Sequence, residues 1–149
     1  MRRACIFALA IVLGVLCQSA SAQSYEFQQG YIFKQSYVDR ISVDQAEQIV
    51  GIPGFFKPLL TFEWVGDDEV IKDSRIKRDD ACLVFDFGGE AKLSLADFST
   101  NEGDGDLQTF KYITSVPGFH VVGVEYGHDQ PQFLLVPEVG GRIYFVDTN

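Results

Sequence analysis

The sequence predicts a mainly β fold at the border of α+β: an antiparallel, sandwich-like sheet with one short helix packed on it, behind a cleaved leader. Three observations carry that expectation. From Leu107 to Val146, four runs dense in β-branched and aromatic residues are separated by short Pro/Gly/Asp punctuation, the pattern of an antiparallel meander. Only Ser42 to Gly51 combines helical periodicity with a start and a stop signal. Thirteen Phe and six Tyr in 149 residues provide the bulk for a core.

The first residues read as a secretory leader. Arg2 and Arg3 form a basic start, Ile6 to Leu16 is almost unbroken apolar sequence, and Ala20-Ser21-Ala22 is a small-x-small cleavage site. Processing is expected before Gln23, leaving residues 23–149 as one mostly β domain of adequate size for a core. The apolar run is too short for a permanent membrane span, and Leu16 stands where a lipoprotein signal needs a small residue before Cys17. Export to the periplasm or the medium, without membrane insertion, is the expectation.

The leader takes two of the twelve basic residues and no acidic one, so the remaining 127 residues carry a formal charge of −11. That charge repels nucleic acid and anionic membrane, and favours solubility or a basic partner. The leader also takes Cys5 and Cys17. Cys82 is then alone in the apolar run Ala81-Cys-Leu-Val-Phe85, where a cysteine behaves as a small hydrophobe. With no intramolecular disulfide available, the fold must rest on apolar packing.

Each element then has a local reason. Tyr31 to Val38 is a candidate strand with imperfect alternation. Ser42-Val-Asp-Gln45 is a capping box: the Ser42 hydroxyl can accept the Gln45 N–H while the Gln45 side chain reaches back. Asp44 and Glu47 suit the positive end of the helix dipole. Ala46, Ile49 and Val50 form an apolar stripe, and Gly51 is placed to end the helix. Ile52-Pro-Gly54 and Lys57-Pro58 bracket Phe55-Phe56, an aromatic loop expected to tuck inward. Leu59 to Val65 alternates as a strand with Leu60, Phe62 and Trp64 on one face, and Gly66-Asp-Asp-Glu69 reads as a turn. Cys82 to Phe87 and Glu90 to Leu95 flank Gly88-Gly89, a hairpin whose glycines can take positive φ. Asp97 to Asp106 is a polar, Gly-rich loop ahead of the meander.

Candidate chemistry is sparse. His120 shares its strand face with Val122 and Val124 while Glu125 falls on the other face, so that pair is split and His120 reads as a packed histidine. His128 and Asp129 lie in a turn with no nucleophile motif. One Cys and two scattered His make no zinc site. Asn101 to Asp106 concentrates oxygen ligands but lacks the order of an EF-hand loop, so it reads as a solvated acidic loop. No cofactor and no metal is implied, and nothing sets an oligomeric state.

What remains is charge on loops. Asp67, Asp68 and Glu69, the pair Asp79-Asp80, and Glu102, Asp104 and Asp106 all fall between expected strands, joined by His128 and Asp129 in the late turn. Loops on a rigid β scaffold are where recognition residues concentrate. The sequence therefore reads as an exported, non-catalytic binding protein of inhibitor or immunity type, whose acidic loops face a basic protein. Two other classes stay open: a small hydrolase using carboxylates with His128, and an envelope-assembly subunit joining through strand edges.

Overall fold

The structure, a computed structural model, describes residues 24–27, 38–61, 67–89, 91–97, 108–125 and 130–149. The leader, most of the Tyr31 to Val38 candidate strand, Phe62 and Trp64 lie outside the described residues.

The expected meander is present. Strands β6 (Thr109–Val116), β7 (Phe119–Glu125), β8 (Gln132–Pro137) and β9 (Ile143–Asp147) follow one another, each antiparallel to the last. A fifth strand, β2 (Val38–Ser42), joins the edge beside β9, completing a sheet in the order β2-β9-β8-β7-β6. It enters parallel, with Val38 beside Ile143 and Ser42 beside Asp147. Arg40 and Asp147, and Arg142 and Asp39, form ion pairs across that junction.

A second sheet has the order β1-β5-β4-β3, built from β1 (Ser24–Phe27), β3 (Ile76–Asp79), β4 (Cys82–Asp86) and β5 (Lys92–Ala96). Its centre is the expected glycine hairpin: Cys82 pairs with Ala96 and Asp86 with Lys92, and Gly88 and Gly89 have φ of 93° and 60°. Strand β3 adds antiparallel through a two-residue turn in which Asp80 takes a left-handed φ of 52°. Strand β1 adds parallel to β5. Cys82 is half-buried.

The five-stranded sheet is the middle layer. One face meets the four-stranded sheet in a core of Ile76, Leu83, Phe85, Leu93 and Leu95 against Phe110, Tyr112, Val122, Val124, Leu134, Val136, Ile143 and Phe145. The other face is covered by helix α1 (Val43–Val50) and the loop after it, through Ala46, Val50 and Phe56 packed on Val116, Val121, Phe133, Leu135 and Val146. Strand β8 is buried almost throughout because it lies under both covers. A sheet buried on both faces needs the continuous apolar runs that Phe133 to Val136 and Val121 to Val124 provide.

Helix α1 forms as its sequence dictates. Ser42 Oγ accepts the Gln45 N–H at 3.2 Å, and Gln45 Oε1 accepts the Ser42 N–H at 3.0 Å. Gly51 ends the helix at φ 73°. Ala46 and Val50 are buried, but Ile49 is 38% exposed, because it sits at the flank of the stripe rather than its centre. Glu47 does more than meet the helix dipole. Its two carboxylate oxygens accept the N–H groups of Gly54 at 2.8 Å and Phe56 at 3.3 Å, which folds the aromatic loop back onto the helix. Phe56 is thereby fully buried, 5.1 Å from the Phe133 ring centroid.

Two expectations need correction. Pro58–Leu60, expected to lead into a strand from Leu59, is a 3₁₀ turn, with Pro58 supplying the fixed φ that starts it. Asp67–Val70 closes one turn of helix, α2, where Gly66 to Glu69 was expected to be a plain turn. Among the described residues no helix is long and apolar enough to cross a membrane.

Candidate functional site

The strand directions divide the molecule into two ends. At one end of the five-stranded sheet Thr109 lies opposite Glu125, and at the other Val116 lies opposite Phe119.

The Thr109 end collects carboxylates. The β3–β4 turn belongs to it, since the Asp97 N–H donates to Ala81 O at 2.7 Å and Asp97 Oδ1 accepts the Phe110 N–H at 2.8 Å. Asp79 and Asp80 are exposed on that turn. Asp97 pairs with Arg78 at 3.1 Å, Glu125 with Lys111 at 3.4 Å and Asp147 with Arg40 at 2.5 Å. The Asn149 N–H, together with Arg40, holds the Asp147 carboxyl below the usual carboxylate range. The chain before Gln108 and the chain after Glu125 both attach here, because Thr109 and Glu125 are cross-strand neighbours.

Of the residues singled out in the sequence, Glu69 is exposed on α2, and Asp67 and Asp68 belong to the same helical turn. Glu102, Asp104, Asp106, His128, Asp129 and the whole Asn101 to Asp106 loop lie outside the described residues. Among the described residues no group of three or more His, Cys, Asp or Glu is arranged to hold a metal ion. A shallow, solvent-open recess of about 370 Å³ on the α1 side is lined by Asp44, Glu47, Gln48, Gly51 and Pro53.

The Val116 end carries an arrangement that sequence periodicity missed. His120, 4% exposed, faces the inter-sheet core, as its strand parity required, and packs at a tilt against Phe85 and Tyr112 at centroid distances of 5.6 and 5.9 Å. Its Nδ1 lies 3.1 Å from Ser115 Oγ and 3.4 Å from the Tyr112 hydroxyl, while that hydroxyl is 2.5 Å from Ser115 Oγ. Burial pushes the His120 pKa down from 6.5 and the Tyr112 pKa up from 10.0. Nearby, Arg75 forks onto Asp73 at 3.0 and 2.7 Å, and this pairing lowers the Asp73 pKa to about 2. Asp73, Arg75 and Glu138 all act electrostatically on His120.

The two ends define the class that the geometry supports: a double-faced β scaffold with exposed Asp79 and Asp80 and three ion-paired carboxylates at one end and a compact hydroxyl–imidazole cluster at the other. Comparison with protein-family models, with curated proteins and with solved structures found no match.

Proposed function

We propose that the chain is an exported binding protein, of inhibitor or immunity type, that engages a basic protein through the acidic Thr109 end. The observation that carries this reading is the pairing of Thr109 with Glu125. Segment 98–107 enters β6 and segment 126–129 leaves β7 at that pair, and together they hold Glu102, Asp104, Asp106 and Asp129 with no Lys or Arg. The Asp79-Asp80 turn belongs to the same end. Negative charge concentrated at one end of a rigid sheet accelerates encounter with a cationic surface and disfavours acidic competitors. The formal charge of −9 on the whole chain favours the same kind of partner.

The test is capture of exported proteins on the immobilised chain at low and high salt, with Asp79→Asn/Asp80→Asn and Asp104→Asn/Asp106→Asn variants alongside. The expected result is a basic protein that is retained at about 50 mM salt, released at about 500 mM, and retained less by each variant. Capture unaffected by salt and by both variants would overturn the reading.

A further inference from the structure

The register of β6 against β7 breaks once. Tyr112 pairs with Val122 and Thr114 with Val121, so β6 carries one extra residue, a β-bulge at Ile113. In an unbroken strand, residues three apart point to opposite faces. The bulge reverses that for Tyr112 and Ser115, places Ser115 directly across from His120, and brings all three polar side chains onto one face. Bulges of this kind are over-represented beside active sites, where they re-aim a side chain.

From this geometry we propose that Ser115 is a reactive serine, with His120 as its general base, that takes the acyl group of small uncharged carboxylic esters. Ser115 is exposed while its two partners are buried, so the one group able to meet a substrate is the hydroxyl. In the reactive arrangement the Tyr112 phenol keeps its proton and Ser115 Oγ donates to Nδ1 of a neutral imidazole. That imidazole is the tautomer with its proton on Nε2.

Acylation forms the bond from Ser115 Oγ to the carbonyl carbon as the hydroxyl proton passes to Nδ1. Collapse of the tetrahedral adduct breaks the ester C–O bond, and the alcohol leaves with the proton from Nδ1. Water attacks the acyl-serine by the same proton route, releasing the acid and restoring Ser115. Asp73, with Arg75 forked onto it, and Glu138 act electrostatically on His120, and the net excess of one negative charge disfavours anionic substrates. The base is His120, not the His128 that the sequence offered for hydrolysis.

The test is covalent labelling of the purified chain by an uncharged fluorophosphonate probe, followed by peptide mapping and rate measurement across pH. One adduct, on Ser115, is expected, absent in Ser115→Ala. Labelling should fall about 100-fold in His120→Gln, the usual scale of a lost general base. In the unaltered chain the rate should rise as His120 loses its proton below pH 6.5 and then level off. This profile serves even where His120→Gln fails to fold. An unmodified Ser115 peptide after exhaustive exposure, or a rate that climbs with hydroxide without a plateau, would overturn the assignment.

Discussion

Removing the Asp97 carboxylate tests how the two sheets are joined. Strand β6 is the edge of the five-stranded sheet and runs close to β4 and β5. At Phe110 its outward backbone groups meet side chains rather than another strand. Asp97 Oδ1 accepts the Phe110 N–H at 2.8 Å, Arg78 Nη2 donates to Phe110 O, and Arg78 Nη1 donates to Asp97 Oδ2 at 3.1 Å. In Asp97→Ala the Phe110 N–H loses a charge-assisted bond, about 1.5–3 kcal/mol. Arg78, whose side chain is 17% exposed, also loses a counter-ion. Partial exposure of both partners keeps this second cost well under the roughly 3–5 kcal/mol of a fully buried pair. The expected total is about 2–3 kcal/mol, or roughly 10 °C in Tm for a domain of this size. The assay is thermal and urea unfolding followed by circular dichroism, with Arg78→Met and the double variant completing a cycle. Coupling of about 1–2 kcal/mol is expected. Asp97→Ala within about 0.5 kcal/mol of the unaltered chain would refute the reasoning.

Acid should act through two groups. His120 is neutral in the fold because burial lowers its pKa, so the unfolded chain binds the extra proton; stability is full above pH 6.5 and declines as pH falls through the folded value. Asp73 moves the other way from its usual 3.8, to about 2, so its contribution is present above 3.8 and fades between there and about 2. Urea midpoints measured against pH should show both declines, with only the first removed by His120→Gln. Glu47→Ala should cost about 1–3 kcal/mol by stranding the Gly54 and Phe56 N–H groups, and hydrogen exchange at those two amides should rise before the rest of the fold loosens. Gly140→Ala should destabilise by about 1–2 kcal/mol, because φ is 78° there and a Cβ would lie 3.2 Å from the Phe87 ring.

Features written in contiguous residues were legible. The Ser42/Gln45 box, the Gly51 stop and the Gly88-Gly89 hairpin are local chemistry, and each formed where the sequence placed it. The four strands of the meander also fall within the Leu107 to Val146 stretch, to within one residue at its end, since turn residues set both ends of each run. Pairings between distant segments were not legible. Nothing in Val38–Ser42 announces a parallel place beside β9, because no turn connects the two and their register is set by packing and by the Arg40 and Arg142 ion pairs. Pro58 read as the end of the aromatic loop, and it also starts the 3₁₀ turn, a role hidden by alternation in the residues after it.

The cluster at the Val116 end shows the limit of parity arguments. Parity assigned His120 to the apolar face and separated it from Glu125, and both placements hold. Applied to β6, the same rule would put Ser115 and Tyr112 on opposite faces, and one inserted residue at Ile113 cancels it. A bulge leaves little trace in composition, since Ile113 is as suited to a regular strand as to an irregular one. The signal available was the polar pair Thr114-Ser115 at the end of an otherwise apolar-alternating strand.

The most direct trial of the acidic-end account is the association rate with the captured basic partner, followed from about 50 to about 200 mM salt. The account expects the rate to fall steeply with salt, and a variant combining Asp79→Asn, Asp80→Asn, Asp104→Asn and Asp106→Asn to associate at least tenfold more slowly at the low end. A rate indifferent to salt and to those four substitutions would contradict it.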